Sequence, residues 1–176
     1  KVLVCQHCFK VGLYRQGIMH DLSKYSPTEF RVGVNYYQGD RSPNTAERAA
    51  LGYSTAWLHH KGRNRHHYEY WIDMKGNRDA TFEGKPMPTR YVVEMFCDRM
   101  AASKVYQGSA YTDASALEYF KLEQSAKGEI LMHPDTKALL ERMLTWLAED
   151  GEEIALRRVR NEIVKPKYRE PNTPKF

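Results

Sequence analysis

The chain has 176 residues, of which 41% are hydrophobic, 28% charged and 12% aromatic. That composition can build the core of one domain, and it excludes a disordered chain, a collagen-like repeat and a disulfide-dense miniprotein. The 27 Lys and Arg exceed the 22 Asp and Glu by only five, an excess that suits a small anionic ligand and is too slight to argue for nucleic acid.

Helix signals dominate. Val2, Cys5, Phe9 and Leu13 recur at close to a helical period and predict a helix over 2–14, punctuated by Gly17 and followed by a short apolar stretch to Leu22. Ser26-Pro27-Thr28-Glu29 is a helix start: Ser26 caps, Pro27 fits the first position and Glu29 returns a bond to the cap amide. This helix is expected to reach about Tyr37. A second start at Asn44-Thr45-Ala46-Glu47 leads through Ala50 and Trp57 to His59 and His60, with Gly62 as its stop. Residues 62–88 read as irregular and polar. Further helices are expected from Pro88-Thr89 to about Val105 and over 114–126, 134–149 and 151–164, their apolar stripes forming the core. No strand alternation or internal repeat is apparent. The fold class expected is therefore all-α, a single helical domain over 1–164 followed by a basic, proline-rich, mobile tail over 165–176.

Cysteine chemistry is unpromising. Cys5 and Cys8 lack a second pair to close a zinc site and read as two thiols on a helix face. No run reaches transmembrane length and no signal-peptide pattern is present, so a cytoplasmic location is expected.

Three segments carry the chemistry. In the first, His20-Asp21-Leu22-Ser23-Lys24, an imidazole and a carboxylate stand together as metal ligands of the kind that suit iron, manganese, zinc or nickel. Lys24, one turn on, can hold a phosphate oxygen beside them. The second segment, 57–71, places His59, His60, His66 and His67 among Lys61, Arg63 and Arg65, with Tyr68, Tyr70 and Trp71 alongside. Four histidines among three cations are hard to justify as core, and taken alone the segment reads as a solvated basic loop, a nucleic-acid contact or an adventitious metal-binding stretch. In the third, Asp98 interrupts an apolar helix, which costs free energy unless a metal or a partner compensates. The plain alternative puts Asp98 on a polar face beside Arg99.

Together these segments resemble the HD superfamily of metal-dependent phosphohydrolases, particularly its HD-GYP branch. His20-Asp21-Leu22-Ser23-Lys24 matches the H-D-[I/L]-[G/S]-K pattern. His59-His60-Lys61-Gly62-Arg63-Asn64 resembles the later H-H-E-R-x-[D/N]-G loop, and Gly84, Met87, Pro88, Arg90, Tyr91, Val92 and Asp98 follow the order of the family's closing segment. The likeness spans about residues 17–105. The same residues also resemble an uncharacterised bacterial protein family that reads as a divergent HD branch.

The resemblance implies an all-α HD-like fold, one divalent transition metal held by His20, Asp21, Asp98 and a further histidine, with His59 and His60 favoured over His66 and His67. It implies Asp21 and Lys24 as catalytic groups, and Lys24, Lys61, Arg63, Arg65, His66 and His67 as substrate contacts. The expected activity is hydrolysis of a small phosphorylated substrate, a nucleotide among the candidates, by a metal-activated water. The alternatives are an HD-type di-iron oxygenase and a non-catalytic nucleotide- or nucleic-acid-binding helical module. A homodimer is a further expectation, and no membrane partner is implied. The sequence departs from the HD-GYP branch in lacking the GYP tripeptide and a histidine between 22 and 58. The family's first histidine has no match, because His7 lies too close to His20. The chain begins at Lys1 without an initiator methionine, so that ligand is expected ahead of Lys1.

Overall fold

The computed structural model describes residues 1–39, 42–76, 81–126 and 130–166. Helices account for most of them, as the sequence predicts: α1 Val2–Val11, α2 Tyr14–Met19, α3 Pro27–Asn35, α4 Pro43–Leu51, α5 Thr55–Lys61, α6 Thr89–Gln107, α7 Ser115–Ala126, α8 Pro134–Asp150 and α9 Glu152–Arg158, which continues as a wide turn over Val159–Val164. Most of the expected tail lies outside the described residues. No described helix is long and apolar enough to cross a membrane.

Several starts follow from local chemistry. Ser26 accepts a bond from the Glu29 amide at 3.4 Å with Pro27 in the first helical turn, as the capping pattern predicts. His133 accepts from the Asp135 amide and starts α8 in the same manner. Three expectations need correction. The helix foreseen over 2–14 ends at Val11, where Gly12 takes a left-handed φ of 91°, and Gly17 lies inside α2 instead of punctuating a helix. The helix foreseen from Asn44 to His60 is two helices, because Gly52 takes a left-handed φ of 82° and Ser54 then caps α5 by accepting from the Trp57 amide. Residues 62–88 are not wholly irregular either: β1 Ile72–Met74 pairs antiparallel with β2 Phe82–Gly84, Ile72 opposite Gly84. Three-residue strands are too short to show an alternation in sequence.

The main core joins α1, α6, α7, α8 and α9, with Phe96, Met100, Phe120, Leu140, Met143, Leu144 and Leu147 fully buried within it. Helix α6 is its axis. It buries residues on every side, from Val92 to Ala101, as a central helix must.

Helices α3, α4 and α5 pack on one another beside this core. Polar staples hold them together. Glu47 of α4 is buried and accepts from the Ser54 and Thr55 hydroxyls at 2.6 Å each and from the Ala56 amide at 3.4 Å. Its carboxylate is held below the ordinary range because these bonds outweigh the opposing effect of burial. The α5 terminus, and with it His59 and His60, is thereby fixed in place.

Candidate metal centre

Four elements converge where the α3–α5 group meets the core. The turn after α2 delivers His20 and Asp21, α5 delivers His60, the following loop delivers His66 and His67, and α6 delivers Glu94 and Asp98 one turn apart on one face. Asp21 has a φ of 54°, and it is the only non-glycine residue in the left-handed region among the described residues. Such strain persists where surrounding contacts over-determine it, as they do at functional sites. Here Asp21 meets Lys24 through Oδ2 at 2.6 Å, and turns Oδ1 to His60 Nε2 at 3.3 Å and His66 Nε2 at 3.5 Å. His20 Nε2 lies 3.4 Å from Asp21 Oδ2 and 3.3 Å from Asp98 Oδ1, and His66 Nε2 lies 3.9 Å from Asp98 Oδ2.

The other faces of these imidazoles are engaged. His20 Nδ1 and His66 Nδ1 meet Glu94 Oε1 at 3.0 and 3.2 Å. His60 Nδ1 meets Glu29 Oε2 at 2.7 Å. An imidazole that donates from Nδ1 presents a lone pair at Nε2. For His66 that lone pair faces Asp21 Oδ1, acceptor against acceptor, which is unfavourable unless a cation or a proton lies between, whereas His60 Nε2 also has His67 Nε2 at 2.9 Å. Two of the atoms involved, Asp21 Oδ1 and His66 Nε2, are buried without a hydrogen-bond partner.

A metal would resolve this conflict. Asp21, His60, His66 and His67 form one group that could hold an ion, and His20, His66 and Asp98 form another, with ligand atoms within 4.8 Å of one another in each. Ligand atoms bonded at about 2.0–2.2 Å around a tetrahedral ion lie about 3.3–3.6 Å apart. The 3.3 and 3.5 Å separations at Asp21 Oδ1 match that span, and the 2.9 Å between His60 Nε2 and His67 Nε2 falls short of it. Imidazole and carboxylate donors together suit zinc, iron, manganese, nickel or cobalt better than magnesium or calcium.

Electrostatics agree with the geometry. Asp21, Glu29, Glu94 and Asp98 gather four carboxylates around these imidazoles, with the ammonium of Lys24 on Asp21. Burial by itself would lower His20, but bonds to Asp98 and Glu94 and the charge of Asp21 outweigh it and push its pKa up to about 10. Burial also opposes ionisation of Asp21, yet the approach of His60 and the charges of Lys24 and His20 hold its carboxyl far below the usual range. Asp98 is depressed in the same way, by the His20 bond and the charge of His66. In contrast, burial and the charge of His66 push His67 well down, so it stays neutral with a lone pair to give.

The geometry redistributes the histidines anticipated from sequence. His60, His66 and His67 stand together, with His60 Nε2 and His67 Nε2 2.9 Å apart, whereas His59 turns its Nδ1 to Glu29 Oε1 at 2.7 Å and lies outside both donor groups. The H-H pattern favoured the first pair, but on a helix adjacent residues point about 100° apart, so only one of the two could face Asp21. Arg99 does not neutralise Asp98. It meets Glu123 at 2.7 Å and leaves Asp98 to the histidines. Lys24 sits at the rim on Asp21. Arg65 is exposed and reaches the Tyr91 hydroxyl at 3.4 Å and the Tyr70 ring face at 5.7 Å. Arg63 is exposed and Lys61 half-buried. His7 is buried elsewhere, beside Glu152 and the Cys97 carbonyl.

The fold and site define an all-α protein with a buried histidine–carboxylate cluster that could bind a metal. Residues 1–146 match the family described as "Family of unknown function (DUF5662)", and the chain belongs to that family. The match takes in every residue of the cluster. No curated protein and no solved structure matches the chain.

Proposed function

We propose that this protein is a metal-dependent phosphohydrolase of HD type, acting on a small phosphorylated substrate. The observation that carries this reading is the pair of orphaned, buried donors, Asp21 Oδ1 and His66 Nε2, facing each other inside a ring of oriented imidazoles. His60, His66, His67 and Asp21 would hold the ion, with His20 and Asp98 on its other flank. A single ion is the better fit. His66 is common to both donor groups, and with Nδ1 on Glu94 it has one lone pair to give.

A bound divalent metal supplies Lewis acidity and lowers the pKa of a coordinated water toward about 7. The protein's own groups do the rest. Asp98, with a side chain 28% exposed, is the cluster carboxylate best placed to accept a hydrogen bond from an entering water and orient it. Lys24, whose side chain is 61% exposed, offers a cation at the mouth to a phosphoryl oxygen. Arg65, held over Tyr70 and against Tyr91, would supply a second cation further along the loop, and Lys61 and Arg63 would add to it. The modest charge excess of the chain thus suits a small phosphate ester better than a polymer.

Metal analysis of the purified protein, followed by a phosphomonoesterase and phosphodiesterase panel with His20→Ala and Asp98→Ala controls, tests the proposal. The expected outcome is stoichiometric transition metal and phosphate release that both substitutions abolish. Activity that persists in chelator would refute it. Metal-dependent oxygen uptake without phosphate release would favour the di-iron oxygenase alternative.

A further inference from the structure

Glu29 and Glu94 carry no catalytic motif in the sequence, where Glu29 reads only as half of a capping box. In the structure both are buried, at 7% and 5% exposure, and each receives two imidazoles. Glu94 does so with one oxygen: Oε1 meets His20 Nδ1 and His66 Nδ1 at 3.0 and 3.2 Å. Glu29 uses both, Oε1 to His59 Nδ1 and Oε2 to His60 Nδ1, each at 2.7 Å.

Two observations separate these contacts from ordinary satisfied polar groups. The first is their direction. Of the four imidazoles in the two donor groups, three, His20, His60 and His66, turn Nε2 into the cluster with Nδ1 on one of these glutamates. The second is placement. Glu94 lies one turn before Asp98 on α6, so one helix face presents an orienting carboxylate and a candidate ligand together. Glu29 lies in the first turn of α3, where the cap is satisfied by Ser26 through the Glu29 amide alone, freeing the carboxylate to reach α5.

We propose that Glu94 and Glu29 are positioning residues of the metal centre. They fix the tautomer and ring orientation of His20, His66 and His60 and make the Nε2 atoms better donors. His59 then has a role of its own: it occupies the second oxygen of Glu29 and so sets the plane of the carboxylate that His60 needs. The inference rests on the metal reading above.

The two glutamates differ in a way that can be measured. Gln at position 94 keeps one oxygen able to accept from both imidazoles, so E94Q preserves the geometry and removes only the charge. Gln at position 29 keeps one acceptor and turns an amide NH₂ toward the other imidazole, so E29Q forces His59 or His60 to rotate or change tautomer. Binding of Zn²⁺ and Co²⁺ is measured by competition with a chromogenic chelator, alongside the Co²⁺ visible spectrum and thermal unfolding in chelator.

E94Q and E29Q are expected to fold and to bind both metals about 10–100-fold more weakly than wild type, with altered Co²⁺ spectra; His59→Ala is expected to lose less than E29Q. If E94Q does not fold, E29Q decides by the same readouts. Wild-type affinity and an unchanged Co²⁺ spectrum in the folded variants would overturn the inference and leave the metal reading standing. Wild-type protein that binds neither metal would overturn both.

Discussion

Among the described residues, His66 is the imidazole common to both donor groups, so its removal is the sharpest single test of the centre. Phe at this position keeps a ring between His20 and His67, whose centroids lie 4.4 and 4.2 Å away, and removes both nitrogens. Suppose free metal is held at one hundred times the wild-type Kd. Linkage then stabilises the folded wild type by about 2.7 kcal/mol. For a domain of this size, each kcal/mol moves Tm by about 2–4 °C, so metal should raise Tm by about 5–11 °C.

Losing an inner ligand should weaken binding at least as much as losing an outer partner at its most severe, about 100-fold. The same metal concentration then equals the variant's Kd. It contributes about 0.4 kcal/mol, a rise of about 1–2 °C. Scanning calorimetry of His66→Phe in chelator and in metal reads this increment directly. His133→Ala is the control, since His133 caps α8 outside the cluster, and it should lower Tm in both buffers by a similar amount. A His66→Phe protein that keeps the full metal increment would refute the placement of His66 at the centre.

Two further outcomes follow from other parts of the structure. In chelator, stability should fall as pH rises from the ordinary imidazole value of 6.5 toward about 10. Over that window folded His20 keeps a proton, held by Asp98 and Glu94 against the opposing effect of burial, that the unfolded chain has released. Urea midpoints across this range should show the decline in wild type and a shallower one in His20→Gln, where His60, also raised by Asp21 and Glu29 against burial, still contributes; a flat wild-type profile would refute the assignment. Gly84→Ala should destabilise by about 1–3 kcal/mol with little change in metal affinity. A Cβ there would lie 2.5 Å from the Leu131 carbonyl oxygen and 2.6 Å from the His133 nitrogen, both backbone atoms that cannot step aside cheaply. A Tm equal to wild type would refute that close approach. Gly84 thus has a packing reason for its place, independent of the motif order in which it falls.

Local chemistry was legible without coordinates wherever it acts over a few residues. Ser26 and Pro27 announce α3, Pro88 and Thr89 announce α6, and apolar periodicity marks α8, because caps and helical stripes are decided within a turn or two. The break between α4 and α5 was missed because the Ala-rich approach to Gly52 and the run after Ser54 share one helical character, and only the left-handed glycine separates them. The candidate donors were legible as residue types: His20 and Asp21 as a doublet, Asp98 as an acid on an apolar helix, four histidines within one short segment.

Which of those donors meet is a different kind of question. His60 rather than His59 faces Asp21, and His66 and His67 join it, because the packing of α3 against α5 and the return of the loop onto α6 set where each Nε2 points. Glu29 and Glu94 have no distinguishing local signal; their partners lie 30 or 31 and 74 residues away in the chain for His59, His60 and His20. By itself the sequence determined the helical class, the helix starts and the chemical types at the site. The tertiary structure alone decided the membership of the cluster and the carboxylates behind it, because ligand geometry depends on side-chain directions across helices that share no local sequence.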